Sequence, residues 1–406
     1  MEYTPIPLST QAFVLHEKSA AALSRAETEL VRAEDRVLTS SNAQAVRKVL
    51  SRFEALMSSR VASGSKVELL SILHLEAAQQ LYPTYDTTNE LLERLMVREG
   101  LIGVRGLLEA FRYMQAIEWI GRTIKPNSVI LPKTILNIHS RCLYGPVRRK
   151  GNVDFRANPY TFIKNSTVST CYKAPDPENI LALIEDYCAF INKDLLSPAA
   201  QAGISHFQIE SIHPFEDSLD ATERALSHMI FFRRGLLRST IAPLALGPAR
   251  DTEAHARYFL PYLAGHPLTN VNNYLNSGAI FNLCAYYTDV AARAINYFLD
   301  TVSSLEARWR TQVGKVGKNS TLDLLLHELP GMPLVTTSSA MKMVGKGFSA
   351  TNEAISRLNK AGILQPATPI QKNHAFVAFE AIQAFEKINQ KIIPRAPIAR
   401  DDLLVT

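Results

Sequence analysis

The stretch Ile212–Arg238, IHPFEDSLDATERALSHMIFFRRGLLR, decides how the rest of the chain is read. A helix beginning near Pro198 has to end at Ser211–His213, because Pro214 disfavours helical geometry at His213 and removes a backbone donor. Phe215–Leu219 reads as a tight polar loop. A second helix starts near Asp220, a residue that caps a helix and suits the positive end of its dipole. Its apolar stripe, Ala225, Met229, Phe232 and Leu236, is spaced four, three and four, which predicts central packing. The product is helix, loop, helix, with one histidine and two carboxylates gathered in the loop.

That arrangement resembles the core motif of the Fic (Fido) family, H-P-F-x-[D/E]-G-N-G-R-x-x-R, whose members transfer AMP from ATP to protein hydroxyls. His213, Pro214, Phe215, Asp217 and Arg224 match it. The Gly-Asn-Gly has become Ser218, Leu219 and Asp220, and the first arginine Ala221. The resemblance implies His213 as general base, Asp217 as the Mg²⁺ carboxylate and Arg224 on a phosphate, with ATP and Mg²⁺ as cofactors. The residues argue against that complement. Phosphates rest on backbone amides at a helix N-terminus, where glycines allow close approach and positive φ. Here all three positions carry side chains, and Asp220 sets a carboxylate where a triphosphate would lie. A full charge about 4 Å from a phosphate oxygen repels it by roughly 4 kcal/mol at an effective dielectric of about 20. Ala221 removes a bidentate clamp as well. Arg224 can meet a phosphate or pair with Asp220 at i, i+4, and the internal pair is the favoured expectation.

Upstream, charged residues 13–38 read as a helix, and a second helix is capped near Ser41–Asn42. The second runs into Ser58-Ser59-Arg60-Val61-Ala62-Ser63-Gly64, which is similar to the inhibitory S-S-x-I-E-G segment of Fic proteins with Glu and Gly replaced by Ala62 and Ser63. An ordinary helix end would read the same way. Further helices are expected at about 89–97, 104–121 and 131–143. Phe155 and Arg156, after the basic loop from Tyr144, stand where the family leads into a hairpin flap that aligns a target segment by strand addition. Thr161–Tyr172 is β-branched and short, as that flap or a plain surface hairpin would be. Asp176-Pro177-Glu178 is a strong helix start. The resemblance covers roughly residues 40–390.

Gly314–Ser320 reads as a linker. Beyond it come a short helix at Leu322–Glu328, a turn at Pro330–Pro333, a helix at Ser338–Val344 and a third from Ser349 to Ala361. Ile363–Leu364 and Ala375–Phe379 are β-like and flank the polar Gln365–Asn373. The order resembles a winged helix-turn-helix, whose third helix would turn Thr351, Asn352, Ser356 and Arg357 toward a major groove. Glu306–Lys391 holds eleven Lys/Arg and six Asp/Glu, most of the chain's net +6. DNA contact and a solvated or protein-contact face are both open readings of that surplus.

The expected fold is thus mainly α: a helical region over 1–100 with a degenerate inhibitory segment, a Fic-like helical bundle with a β-hairpin flap over 101–313, a linker at 314–320 and a winged helix over 321–406. A composition of 47% hydrophobic and 20% charged residues belongs to an ordinary globular protein. No apolar run approaches the ~18 residues of a membrane span, and the N-terminus lacks a signal-peptide pattern, so a cytoplasmic location is expected. Cys142, Cys171, Cys188 and Cys284 show neither metal nor disulfide spacing and are expected to be reduced. His206, His228, His266 and His374 show no ligand spacing with acids, so no metal beyond Mg²⁺ is expected. Arg233, Arg234 and Arg238 are expected on a solvated helix end. Three functions compete: a degenerate Fic protein that binds DNA or a protein, a transferase still acting through His213 on ATP or another donor, and a purely structural dimer partner for an active relative; a homodimer is a separate expectation.

Overall fold

The computed structural model describes residues 7–63, 67–81, 104–143, 154–164, 170–250, 278–367 and 375–387. It is mainly helical, as expected. In order come α1 (Glu17–Thr39), α2 (Ala43–Ser63), α3 (Leu69–Leu81), α4 (Val104–Thr123) and α5 (Pro132–Cys142). A hairpin, β1 (Thr161–Lys164) and β2 (Thr170–Lys173), is paired antiparallel with Phe162 opposite Tyr172. Then follow α6 (Ile180–Asn192), α7 (Pro198–Ile212), α8 (Leu219–Arg233), α9 (Leu246–Arg250) and α10 (Ala279–Val313). The last elements are α11 (Thr321–Glu328), β3 (Leu334–Thr336), α12 (Thr337–Val344), α13 (Phe348–Lys360), β4 (Gln365–Pro366), β5 (Ala375–Val377) and α14 (Phe379–Glu386).

Two long helices frame the core. In α1, Leu23, Ala26, Leu30, Ala33 and Val37 are buried at alternating spacings of three and four. In α10, Ala291, Ile295, Phe298, Val302, Leu305 and Trp309 repeat that alternation. Matching three-four seams let two helices lie along one another, and these two do. Gly278 takes φ 76° as the N-cap of α10, and the helix runs on to Val313.

Inside this frame sit α2 and α8, each buried on nearly every side. Ser51–Ser59 are all buried in α2, and in α8 the expected stripe of Ala225, Met229 and Phe232 is buried as well. Their polar groups meet in a ladder. Glu54 accepts from Tyr113 Oη (2.8 Å) and the Ala245 amide (2.9 Å) and lies 3.1 Å from His228 Nε2. One turn on, Arg224 Nε donates to Ser58 Oγ at 2.7 Å. The pairs 54–228 and 58–224 climb α2 as they descend α8, so the helices run antiparallel in a register set by buried hydrogen bonds. A second buried carboxyl, Glu34, accepts the amides of Arg238, Ser239 and Thr240 at 2.8–3.3 Å and closes the chain after α8.

The C-terminal elements pack against this core. Trp309 Nε1 donates to Glu380 at 2.6 Å, and Lys48 pairs with Glu328 at 2.9 Å. Gly331 is required by its surroundings, since a Cβ there would come within 2.5 Å of the Ala45 backbone. Strand β3, which lies between the expected turn at Pro330–Pro333 and the expected helix at Ser338–Val344, forms an antiparallel sheet in the order β3-β5-β4. Asp176 does not cap with its side chain but pairs with Lys173 at 3.1 Å. The expected helix at 89–97 and most of the loop from Tyr144 lie outside the described residues, as does most of the stretch between β4 and β5. No helix among the described residues is long and apolar enough to cross a membrane.

Because Glu54 serves three donors from three segments, Glu54→Ala should cost about 3–5 kcal/mol by leaving buried partners unmet. Glu54→Gln, which keeps an acceptor, should cost less. Chemical denaturation reads both, and a Glu54→Ala midpoint equal to wild type would show that the ladder does not hold the two helices.

Candidate functional site

The chain reverses between α7 and α8 within six residues, and both ends of the reversal use left-handed backbone. His213, the C-cap of α7, has φ 48°, and Ser218, the N-cap of α8, has φ 53°. Neither is glycine, so each conformation costs on the order of 1–3 kcal/mol that surrounding contacts must offset. Ser218 therefore holds a backbone conformation that glycine adopts freely, with a side chain added. The helix begins at Leu219, one residue before the expected start.

Arg156 holds the reversal from outside. Its amide donates to Pro214 O at 2.9 Å and its Nε to His213 O at 2.7 Å, while its other guanidinium nitrogens reach Asn158 O and Pro175 O. From inside, Phe215 is buried and stacks on His139 at 3.5 Å, and His139 Nδ1 lies 2.9 Å from Thr222 Oγ1. The His213 ring itself stacks on Tyr160 at 3.7 Å. Burial, reinforced by the Arg156 guanidinium, pulls the His213 imidazolium down to about 4, and burial takes His139 to about 3. Both are neutral near pH 7.

A cavity of about 430 Å³ opens beside the reversal, between α2, α7, α8 and α10. Ala62, Asp220, Glu223 and Arg224 line it, together with His206 and Glu210 from α7. The Ser58–Gly64 stretch, through Ala62, thus shares a cavity with Asp220, Glu223 and Arg224. His213 and Asp217 are not among its described walls, and Asp217 is exposed. The expected Arg224–Asp220 ion pair is not formed: Arg224 turns its Nε to Ser58, and its nearest carboxylate is Glu223, 4.0 Å from Nη1. Glu223 is 3% exposed, and burial followed by the charge of Asp220 drives its pKa well above the ordinary carboxylate value.

Three further expectations need correction. Arg233 and Arg234 are not solvated: both pair with Asp194, and Arg233 Nε also donates to Ser128 O. Thr351 is buried and donates to Gly347 O at 2.9 Å, so it points into the C-terminal core rather than outward. Asn352, Ser356 and Arg357 do face outward, with Arg357 Nη2 bonded to Lys315 O at 3.0 Å. Finally, His206 does have an acid at ligand spacing. Glu210 follows it by four on one helix face, a signal readable in the sequence, whereas Glu223 joins them only through the packing of α8 on α7.

The pH dependence of stability follows from His213. In the unfolded chain a histidine takes up its proton near pH 6.5, but folded His213 does so only near 4. Below about 6.5 the unfolded state binds more protons, so stability falls as pH drops from there towards 4. Thermal unfolding across that window should show a steeper loss for wild type than for His213→Ala, and parallel curves would contradict the buried neutral ring.

Against known proteins, residues 130–231 match the Fic/DOC family model. The chain is 24% identical over 226 residues to "Protein adenylyltransferase Fic" of Aedes aegypti, an alignment covering 54% of this chain and 39% of that protein. It is 22% identical over 267 residues to the protein of the same name from Culex quinquefasciatus, covering 64% and 47%. The chain therefore spans less than half the length of these curated relatives. Among solved structures, a Fic family protein from Desulfovibrio desulfuricans aligns over 92% of this chain and 98% of its own, at 14% identity and a TM-score of 0.47. A Fic domain containing signaling protein from Bacteroides thetaiotaomicron aligns over 62% and 97%, at 14% identity and a TM-score of 0.37. The segment that carries the His213 reversal, Asp217 and Arg224 thus lies within the part of the chain that matches the Fic/DOC family model.

Proposed function

We propose that this chain is a degenerate Fic protein that has lost AMP transfer and acts by binding. The observation that carries this reading is the start of α8, where Ser218, Leu219 and Asp220 replace the phosphate cradle and Asp220 lines the cavity beside Arg224. These residues do not fit a triphosphate. The helix N-terminus still offers its amides, but a carboxylate stands among them, and Arg224 is already engaged by Ser58. His213 supports the same conclusion. A general base works best with a pKa near the operating pH, and a ring held down at about 4 is a weak proton acceptor. No catalytic step through ATP or Mg²⁺ is therefore assigned.

Incubation with labelled ATP, Mg²⁺ and a protein extract should give no label transfer above that of His213→Ala. Transfer that depends on His213 would overturn the reading in favour of an active adenylyltransferase, or of a transferase with another donor. The combined change Ser218→Gly, Leu219→Asn, Asp220→Gly and Ala221→Arg should restore nucleotide binding measurable by calorimetry. Continued failure would place the loss in the cavity rather than at the helix start.

For the binding activity, the reading is a winged helix over 321–406 that contacts DNA. Asn352, Ser356 and Arg357 are exposed on one helix, and Lys342, Lys346 and Lys360 are exposed around it. This arrangement supports backbone contacts from the lysines and base-edge contacts from Asn352 and Arg357. A target protein at the β1–β2 hairpin and a homodimer belong to the same proposal. Fluorescence anisotropy of the full chain against duplex DNA should show affinity falling with salt, by a log–log slope of about −0.9 per phosphate neutralised. Lys346→Ala should lower affinity for all sequences alike, and Arg357→Ala should lower it most for preferred ones. Absence of binding at low salt would leave these elements as a protein-contact module.

A further inference from the structure

We infer that His206, Glu210 and Glu223 form a binding site for a divalent first-row transition metal, with Zn²⁺ the fitting ion. The site goes beyond the function proposed above and does not use His213, Asp217 or any nucleotide.

Two helices build it. His206 and Glu210 lie four apart on α7, so their side chains rise from one face. Glu223 comes from α8, packed antiparallel against α7 through the His213 reversal. One ligand atom from each of the three residues lies within 4.8 Å of the others. His206 Nε2 is 3.9 Å from Glu210 Oε2 and 3.8 Å from Glu223 Oε1. These separations are too long for hydrogen bonds, which fall at about 2.7–3.2 Å. They suit two ligands of one ion, which at about 2.1 Å each stand no more than about 4.2 Å apart. The imidazole and carboxylates are therefore spaced to share an ion, not to bond one another.

A second observation points the same way. Glu223 is 3% exposed, lines the cavity, and its Oε2 is buried without a hydrogen-bond partner. A buried carboxylate oxygen left unmet is costly, and a cation in the cavity would satisfy it. The neighbouring charges allow this. Arg224 sits 4.0 Å from Glu223 Oε1, but Ser58 pins its Nε, and Asp220 on the same cavity wall opposes it with a further negative charge.

The donor set chooses the ion. One imidazole and two carboxylates suit Zn²⁺, whereas Mg²⁺ and Ca²⁺ prefer all-oxygen shells. Among divalent first-row ions, affinity for such a set rises toward copper and stays high at zinc. Three protein ligands leave a fourth position, and here it faces the cavity, where water or a small anionic ligand could take it.

Calorimetric titration of the metal-stripped full chain with ZnCl₂ tests the site. One equivalent should bind, and Glu223→Gln and His206→Ala should each weaken that event by at least the roughly 10–100-fold that losing even a ligand's support costs. MgCl₂ at the same concentrations should give no comparable event. Co²⁺ offers a readout that needs no variant, since its visible absorption should intensify on binding to wild type and disappear on addition of Zn²⁺. Zn²⁺ binding undiminished in the Glu223→Gln, His206→Ala double variant would overturn the assignment. So would equal competition by Mg²⁺, or an unchanged Co²⁺ spectrum with wild type.

Discussion

The buried hydrogen-bond ladder between α2 and α8 is the constraint on which the rest of the molecule depends. Both helices are enclosed, so neither can turn a polar face to water, and each polar group they carry must find a partner inside. Glu54 does this for Tyr113, His228 and the Ala245 amide together, and Ser58 does it for Arg224. Because the contacts are one helical turn apart, sliding α2 along α8 would break both at once. The same register brings Ala62 to the cavity wall that Asp220 shares.

That constraint also fixes the shape of the site. The His213 reversal is held by Arg156, Phe215 and His139, none of which lies in the phosphate cradle. Packing and hydrogen bonds can thus maintain two left-handed residues that are not glycine. With α7 and α8 locked in place, the face between them collects His206, Glu210 and Glu223, three groups whose neighbourhood is set by the reversal rather than by their own segments. The cavity beside them takes a negative lining from Glu210, Asp220 and Glu223.

The C-terminal elements show the same dependence on packing. Arg357, exposed and polar, still reaches back to the carbonyls of Val313 and Lys315, and Trp309 is tied to Glu380. The segment 314–320 therefore joins elements that touch one another, not bodies separated by a free tether. Thr351 looked like a reader of bases because it is short and polar, yet its hydroxyl is satisfied by Gly347 one turn back, a common fate of threonine in helices. Arg233 and Arg234 looked solvated for a related reason: a basic helix end suits the dipole, and nothing local announces Asp194 from another segment.

By itself the sequence determined many of the helices and the reversal between α7 and α8, because periodicity, proline and capping act over a few residues. It also determined that Ser218, Leu219, Asp220 and Ala221 stand where the resembled motif has Gly-Asn-Gly-Arg, since these residues are read directly. Only the tertiary structure decided where the side chains of those helices point for their partners. Strand β3 is three residues long and exists only because β5 pairs with it. Arg224 had two local options, and a residue 166 positions away in sequence, Ser58, supplied a third. The pairing of Glu223 with His206 was equally invisible, because their approach depends on how tightly α7 turns into α8. Local rules operate through backbone geometry and leave a trace in neighbouring letters, whereas partners chosen by packing are fixed only when the whole core closes.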